Sequence, residues 1–337
     1  MAACTTIAFG FAQYFSGFLP VSPQLAAVSV VLLLGFVNYF GMRAVYLFND
    51  FAIFLKVGGL IALVVLFFAA AGFGGFHFAF DSPKGTAGIV SASVLLFFAY
   101  MGFQVLANVA EEVKDVRRNL PRAILISIGM TALIYILIAF AFTSVLSYEK
   151  IVGTVESGKG ALAVAAGEIG GPAFLLALGI IAIFSTADTI MICLMGGSRI
   201  IYGMAEDKAL PRQLLHTTSS GAPGLAILVT IIPIIPLIFM GDISLLARVS
   251  VSGMFILFIF DNLSVIALRL KQPGLARPFR IPFSIANVPM LPLIAALATV
   301  GLLAYELYYH PLMLEGFVGL ALVGLVLNEA EYRLTGD

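Results

Sequence analysis

The sequence has little charge and few residues that could bind a metal. Only 11% of its 337 residues are charged, and 18 basic residues balance 18 acidic residues, so the net charge is zero. This balance excludes the positive field that nucleic-acid binding requires. Cys4 and Cys193 lie in separate apolar runs, and the three histidines lie in separate loops. We therefore expect no disulfide, no metal site and no cofactor.

Long apolar runs dominate what remains. Hydrophobic residues make up 61% of the chain, and no charged residue occurs between Met1 and Met42. An uncharged run of about 18 residues or more is long enough to cross the bilayer as a helix, and such runs recur along the chain. A membrane β-barrel would show short strands that alternate apolar and polar residues, whereas these runs are apolar on every side. The sequence predicts an all-α polytopic membrane protein.

Breaks at charges, prolines and glycine-containing turns divide the chain into ten predicted spans within one membrane domain. Their predicted ranges are 2–18, 24–41, 46–71, 87–110, 123–146, 172–203, 224–241, 244–270, 288–306 and 312–332. The polar connection between Ser147 and Gly171 is predicted to be a loop with one short helix. Pro121 is predicted to open the fifth span, because proline is tolerated at the start of a helix.

The distribution of basic residues predicts the orientation of the chain. Thirteen of the 18 fall on one side of the predicted membrane, four, including Arg248, fall on the other, and Lys56 lies within a span. Under the positive-inside rule the richer side is cytoplasmic. We predict a multi-pass protein of the cell membrane with both termini in the cytoplasm.

Lys56 is a charged residue in the middle of an apolar span. A charge at the bilayer centre costs about 2.5–3.5 kcal/mol on insertion scales, so such residues are candidates for function. The position is too deep in the span 46–71 for easy contact with the interface. Because burial disfavours the charged form of an amine, we predict that Lys56 carries or senses a proton. The alternative is a lysine that is only structurally paired.

Asp188 is a second charge in an apolar span, in the sequence FSTADT. It is three residues from Ser185, so the two side chains share a helix face. A carboxylate beside Lys56 would oppose loss of the lysine's proton, and both a coupling role and a structural role stay open for Asp188. Asp261 is a similar residue with a weaker case.

Four motifs occur in a fixed order along the chain. The most specific begins at Phe97 and joins an aromatic run, a glycine, paired glutamates, a basic loop and Leu-Pro-Arg-Ala-Ile. The motifs are NYFGMRAVYLFNDFAIFLKVGGLIAL from Asn38, FFAYMGFQVLANVAEEVKDVRRNLPRAI from Phe97, GGSRIIYGMAEDKALP from Gly196 and RLKQPGLARPFRIP from Arg269. Together they resemble amino acid transporters of the amino acid/polyamine/organocation superfamily. YMGF, the ALAVAA run from Ala161 and Lys56 are most similar to its prokaryotic proton-coupled, broad-specificity branch.

The resemblance implies a fold of two inverted five-helix repeats followed by two further helices. Residues 1–71 would be the remainder of the first repeat, 87–270 the second repeat, and 288–332 the two additional helices. The first two helices and part of the third are then expected to be absent. The sequence would be a fragment, a product with a misplaced start, or a degenerate relative.

The resemblance also implies a substrate-binding break in the span 87–110. Carbonyl groups freed by an unwound helix can accept hydrogen bonds from a substrate ammonium, and they survive at that depth only beside a cavity. The residues implied for this site are Phe98, Ala99, Tyr100, Gly102 and Phe103. Without the resemblance, the expectation would be a continuous helix in which a glycine permits close packing.

A sodium ion occupies the place of Lys56 in sodium-coupled relatives, and hydroxyl groups of a later helix face that place. The corresponding helix here is 172–203. We therefore predict that Ser185, and Thr186 beside it, contact the ammonium of Lys56, with Asp188 as a further proton-coupling residue.

The leading interpretation is a secondary transporter that carries amino acids together with protons through the lipid bilayer. An amino acid exchanger is one alternative. A truncated membrane protein that does not transport, or a subunit that needs a partner, is another. An intramembrane enzyme is disfavoured, because the sequence has no HExxH, no paired aspartate motif and no serine with a membrane-embedded histidine.

We expect the 337-residue chain to insert into membranes but not to transport by itself, because the resemblance places the site for the substrate carboxylate in the absent first helix. Proteoliposomes that contain the chain should take up radiolabelled amino acids no faster than protein-free liposomes. The chain with the upstream family helices restored is the positive control. Uptake that depends on the present chain alone would contradict this expectation.

Overall fold

The structure is a computed structural model that describes residues 1–71, 82–103, 113–156, 160–277 and 279–311. Helices account for most of this part of the chain. They are α1 (Ala2–Phe15), α2 (Pro23–Tyr39), α3 (Met42–Ala71), α4 (Gly85–Tyr100), α5 (Val116–Val145), α6 (Tyr148–Glu156), α7 (Ala161–Gly170), α8 (Pro172–Glu206), α9 (Gly224–Ile231), α10 (Ile234–Met240), α11 (Ile243–Lys271) and α12 (Met290–Tyr309). A 3-10 turn at Arg212–Leu215 precedes α9. Two short antiparallel strands, β1 (Ser284–Ile285) and β2 (Val288–Pro289), precede α12.

The helices confirm the predicted all-α polytopic membrane fold. Within the described residues, five helices are long and apolar enough to cross a membrane, namely Val45–Ala70, Val116–Ser144, Pro172–Glu206, Ile243–Lys271 and Met290–Tyr309. Many of their large apolar side chains are exposed, as at Leu125 and Ile136 of α5. Such a surface is unfavourable in water but matches the hydrocarbon of a bilayer.

The predicted span 224–241 is two helices rather than one. It divides into α9 and α10, with Ile232 and Pro233 between them. Proline lacks the backbone N–H that would continue the helical ladder, and its ring clashes with the preceding turn. The last predicted span, 312–332, lies outside the described residues.

Two further expectations are corrected. The connection from Ser147 to Gly171 contains two helices, α6 and α7, instead of one short helix. Gly171 separates α7 from α8 with a φ of 77°, a conformation that favours glycine.

Pro121 does not open its helix but lies inside α5, which begins earlier, at Val116. The basic residues around Val116 are compatible with helix, so the helix extends beyond the apolar run.

The chain forms two compact units. Of the described residues, unit 1 comprises 1–71, 133–156 and 160–246, and unit 2 comprises 82–103, 113–132, 247–277 and 279–311. In unit 1 the long helix α8 packs against α1, α2, α3, α7 and α9. In unit 2, Val94, Val251 and Phe255 form a fully buried core.

Small and polar residues bring the helices of unit 1 together. Ala8 and Ala12 of α1 are fully buried. Small side chains let helix backbones approach closely in a membrane, where hydrophobic exclusion does not drive association. The buried amide of Asn38 in α2 donates to the carbonyl of Leu34 at 3.0 Å and to the carbonyl of Met191 in α8 at 3.3 Å. This contact links α2 to α8 through a hydrogen bond.

Gly59 sets the distance between α3 and α8. A Cβ atom placed on Gly59 would lie 2.8 Å from Cγ2 of Ile181, which is too close for real atoms. The adjacent Gly58 has no atom within 4 Å of such a Cβ. The close approach of α3 to α8 therefore depends on Gly59 and not on Gly58.

We expect Gly59→Val to force α3 away from α8 and to destabilise the protein by about 1–3 kcal/mol, the range typical of overpacking. Gly58→Val is the matched control, because it introduces the same side chain into the same helix where space is open. Unfolding of the detergent-solubilised protein measures both. Equal losses of stability in the two variants would show that the approach at Gly59 does not matter.

Candidate functional site

A buried ion pair joins α3 to α8 in unit 1. The Nζ atom of Lys56 lies 2.6 Å from Oδ2 of Asp188. The Asp188 side chain is fully buried, whereas the Lys56 side chain is 26% exposed. Both residues lie well inside apolar helices, so each charge is tolerated there because the other is present.

The carboxylate of Asp188 is only partly satisfied. Its Oδ2 atom accepts from Lys56, but its buried Oδ1 atom has no hydrogen-bond partner among the described residues. A buried polar atom without a partner is uncommon, and it marks a place where a proton, a water molecule or an ion can bind. Asp188 therefore has one oxygen available for chemistry.

A cavity of about 210 Å³ adjoins the pair. Lys56, Ser185, Thr186 and Tyr14 contribute to its lining, together with apolar side chains of α3, α7 and α8. A water molecule takes about 30 Å³ of liquid volume, so the cavity has room for several. Lys56 can thus be reached by water from one side while Asp188 is enclosed.

The ammonium of Lys56 lies near the other residues of the predicted coupling site. Its hydrogen bond goes to Asp188, and Ser185 and Thr186 share the cavity with it. The Thr186 hydroxyl donates to carbonyl oxygens of its own helix, to Ala182 at 2.7 Å and to Ile183 at 3.1 Å. A carboxylate attracts an ammonium more strongly than a hydroxyl does, which explains the preference for Asp188.

Helix α4 ends inside the stretch where a break was predicted. Its last residue is Tyr100, Met101 is extended with a ψ of 138°, and Gly102 has a φ of 130°. That φ is open to glycine and costly for other residues, so Gly102 allows the chain to leave the helix. Residues 104–110, the rest of the predicted span, lie outside the described residues.

The aromatic residues of the predicted site lie in unit 2. Phe98 packs against the core formed by Val94, Val251 and Phe255. The ring of Phe103 stacks on the ring of Phe258, with 5.8 Å between centroids. Tyr100 lines an open pocket. Ala99 is the residue before Tyr100 in the last turn of α4.

A second buried ion pair in unit 2 was missed by sequence reasoning. Nη1 of Arg248 in α11 lies 2.7 Å from Oε1 of Glu306 in α12, and Nη2 donates to Oγ of Ser91 in α4 at 2.9 Å. Glu306 is fully buried. Arg248 was predicted to lie on the outer side of the membrane, and Glu306 was not among the predicted site residues. Glu306 is the last residue of the predicted span 288–306, so the rule that selected Lys56, a charge in the middle of a span, does not select it.

These features define the class of the protein. Apolar helices long enough to span a bilayer, an ion pair buried among them and a helix that stops at a glycine are typical of polytopic helical membrane proteins. The chain belongs to the amino acid permease family, whose sequence model matches residues 1–310. The resemblance drawn from the four motifs is thereby confirmed.

Named relatives are transporters of different compounds. The chain is 25% identical over 328 residues to the branched-chain amino acid permease BcaP of Bacillus subtilis, covering 88% of this chain and 66% of that protein. It is 25% identical over 293 residues to the methylthioribose transporter of Bacillus subtilis, covering 86% of this chain and 59% of that protein. It is 28% identical over 197 residues to cationic amino acid transporter 3, mitochondrial, of Arabidopsis thaliana, with shares of 57% and 31%. The chain thus spans two thirds or less of the length of these relatives.

We expect Lys56→Met to destabilise the protein by about 3–5 kcal/mol at neutral pH, because the Asp188 carboxylate would stay buried without its partner. The double variant Lys56→Met/Asp188→Leu should recover most of this loss, since an apolar pair of similar volume is often as stable as a buried ion pair. Chemical unfolding of the unmodified protein, the two single variants Lys56→Met and Asp188→Leu and the double variant measures the coupling energy of the pair.

Lys150→Met is the control for this measurement. Lys150 pairs with Glu168 at 3.2 Å, but both side chains are exposed, so water screens the interaction. We expect a loss below about 1 kcal/mol there. A loss just as small for Lys56→Met would contradict the importance of the buried pair.

Proposed function

We propose that the protein is a secondary transporter that carries amino acids across the cell membrane together with protons. The observation that carries the proposal is the Lys56–Asp188 pair, two ionisable groups 2.6 Å apart inside apolar helices. Ionisable residues are rare inside membrane spans and commonly serve proton or ion movement. Family membership supports transport as the activity.

Coupling follows from the energy of separating the pair. Lysine and aspartate together are nearly neutral, so the joined pair is tolerated in the membrane. If α3 and α8 move apart during transport, each charge loses its partner, which is strongly unfavourable. Protonation of Asp188, or loss of the proton from Lys56, removes the charge that is left. The helix positions and the number of bound protons are therefore linked.

The cavity beside the pair provides a route for the proton. Ser185, Thr186 and Tyr14 place hydroxyl groups around a space that can hold water next to Lys56. Oδ1 of Asp188, which lacks a partner among the residues described, is the atom best placed to receive a proton. We assign Lys56 and Asp188 the coupling role and the hydroxyl groups the role of conducting or positioning water.

The substrate site is proposed at the end of α4. The turn at Met101 and Gly102 interrupts the helical ladder, and carbonyl groups near such a break can accept from the ammonium of an amino acid. Phe98, Ala99, Tyr100, Gly102 and Phe103 are the proposed contacts. The named relatives carry different compounds, so the proposal names amino acids as a class and no single amino acid.

The division into inverted repeats stays a prediction, as does the placement of both termini in the cytoplasm.

We expect Lys56→Ala to abolish accumulation driven by an inward proton gradient, while substrate binding or exchange stays at least partly intact. The physical reason is that without Lys56 a movement of the helices no longer separates two opposite charges, so it is no longer linked to proton binding. The measurement is radiolabelled amino acid uptake by proteoliposomes that contain the chain with the upstream family helices restored.

Asp188→Asn is compared in the same assay. If accumulation driven by pH survives Lys56→Ala but disappears in Asp188→Asn, the aspartate alone is the proton site and the role given to Lys56 is wrong. If a proton gradient has no effect on uptake by the protein with the upstream helices restored and no substitution, proton coupling itself is refuted.

A further inference from the structure

The segment 272–289, which joins α11 to α12 in unit 2, carries uncompensated positive charge together with the end of α11. Between Asp261 and Glu306 the sequence has no acidic residue. The same stretch has four basic residues, Arg269, Lys271, Arg277 and Arg280. No ion pair of the described residues includes any of the four. The surface formed by this part of the chain therefore attracts anions.

Two of the arginines hold the segment in a fixed shape. Arg269 is buried and donates to Oγ of Ser284 at 2.7 Å and to the carbonyl of Ile281 at 3.2 Å. Arg277 donates to the carbonyl of Leu268, in the last turn of α11, at 3.1 Å. All of these acceptors are neutral groups. The hydrogen bonds therefore position the segment on the end of α11 without cancelling its charge.

The segment ends in a tight hairpin formed by β1 and β2, and its large apolar side chains point outward. The turn residues Ala286 and Asn287 have φ angles of 49° and 65°, and positive values at both positions are typical of two-residue hairpin turns. Four large apolar side chains of the segment are each more than half exposed, namely Leu275, Phe279, Phe283 and Ile285. A group of exposed apolar side chains is unfavourable in water and is typical of an interaction surface.

The other two basic side chains are available to an anion. Lys271, the last residue of α11, and Arg280 are exposed, and neither has an ion pair or a hydrogen bond within the described part of the chain. Helices α11 and α12 are both long and apolar enough to span a membrane, so the segment that joins them lies at a bilayer surface. There, apolar side chains can enter the boundary of the acyl chains while lysine and arginine reach the lipid phosphates.

We propose that the segment 272–289 binds anionic phospholipids, with Lys271 and Arg280 on the headgroup phosphates and the exposed apolar side chains in the boundary of the acyl chains. A soluble anion would leave the apolar side chains in water, and a neutral lipid would leave the positive charge uncompensated. The predicted cytoplasmic placement of the segment agrees with a lipid partner, because the cytoplasmic leaflet carries the anionic lipids. Lipid binding here does not depend on transport, so the two proposals can fail separately.

The test uses tryptophan fluorescence, because the chain has no tryptophan of its own. Phe279→Trp introduces a single reporter beside Arg280, at a position that is already aromatic and exposed. The full chain is placed in phosphatidylcholine nanodiscs, one copy in each, so that a second copy cannot cover the segment. An equal share of the lipid is then either phosphatidylglycerol or phosphatidylcholine with brominated acyl chains, since bromine quenches tryptophan on contact.

We expect brominated phosphatidylglycerol to quench the reporter about threefold more strongly than brominated phosphatidylcholine, because each basic residue near the surface attracts anionic lipid. In the double variant Lys271→Gln/Arg280→Gln the two lipids should quench equally. The variant Lys271→Arg/Arg280→Lys keeps both charges and should retain the preference. Circular dichroism and size-exclusion chromatography establish that each variant is folded.

Tyr148→Trp is the matched control for the position of the reporter. Tyr148 is an exposed aromatic residue at the start of α6 in unit 1, and the nearby Lys150 is paired with Glu168. A reporter there should show no preference between the two brominated lipids.

Equal quenching of the Phe279→Trp protein by the two lipids would overturn the proposal, and it is the result expected if the segment binds an acidic soluble protein instead. A preference for phosphatidylglycerol that persists in Lys271→Gln/Arg280→Gln would overturn it as well. Loss of the preference in potassium phosphate, but not in potassium chloride of the same ionic strength, would assign the surface to free phosphate and would also contradict the proposal.

Discussion

The hydrocarbon interior of a membrane does not solvate charge, and the arrangement of ionisable side chains in this protein follows from that constraint. In unit 1 the carboxylate of Asp188 is fully buried and lies 2.6 Å from the ammonium of Lys56. In unit 2 the fully buried Glu306 lies 2.7 Å from Arg248. Neither carboxylate would be stable at its position as an isolated ion, so each fixes the helix that supplies its partner.

The two ion pairs differ in what surrounds them. Lys56 adjoins a cavity that can hold water, whereas Arg248 is additionally bonded to Ser91 and ties three helices of unit 2 together. The Lys56–Asp188 pair is the one that water in the cavity could reach. In the Arg248–Glu306 pair, the hydrogen bond to Ser91 holds the arginine in place. Both carboxylates keep one oxygen without a partner among the described residues, so the two pairs differ in their surroundings and not in this respect.

Glycines at particular positions set how closely the helices approach and where they end. Gly59 permits the approach of α3 to α8, one turn from Lys56 along the same helix. Gly102 allows the chain to leave α4, and the ring of Phe103 after it stacks on the ring of Phe258. In lipid, apolar side chains do not drive helices together as they do in water, so close contacts and polar bonds decide which helices pack.

The sequence by itself determined the membrane class, because some 20 apolar residues can only be accommodated as a spanning helix. It also singled out Lys56, since a charge in an apolar run is a local feature, whereas the break at the end of α4 was predicted only from the resemblance to a family. Only the tertiary structure decided that Asp188, 132 residues away, is the partner of Lys56, and that Arg248 meets Glu306, 58 residues away. Hydropathy specifies which segments enter the bilayer but not how they rotate and pack. Those choices depend on the shapes and polar groups of several helices at once.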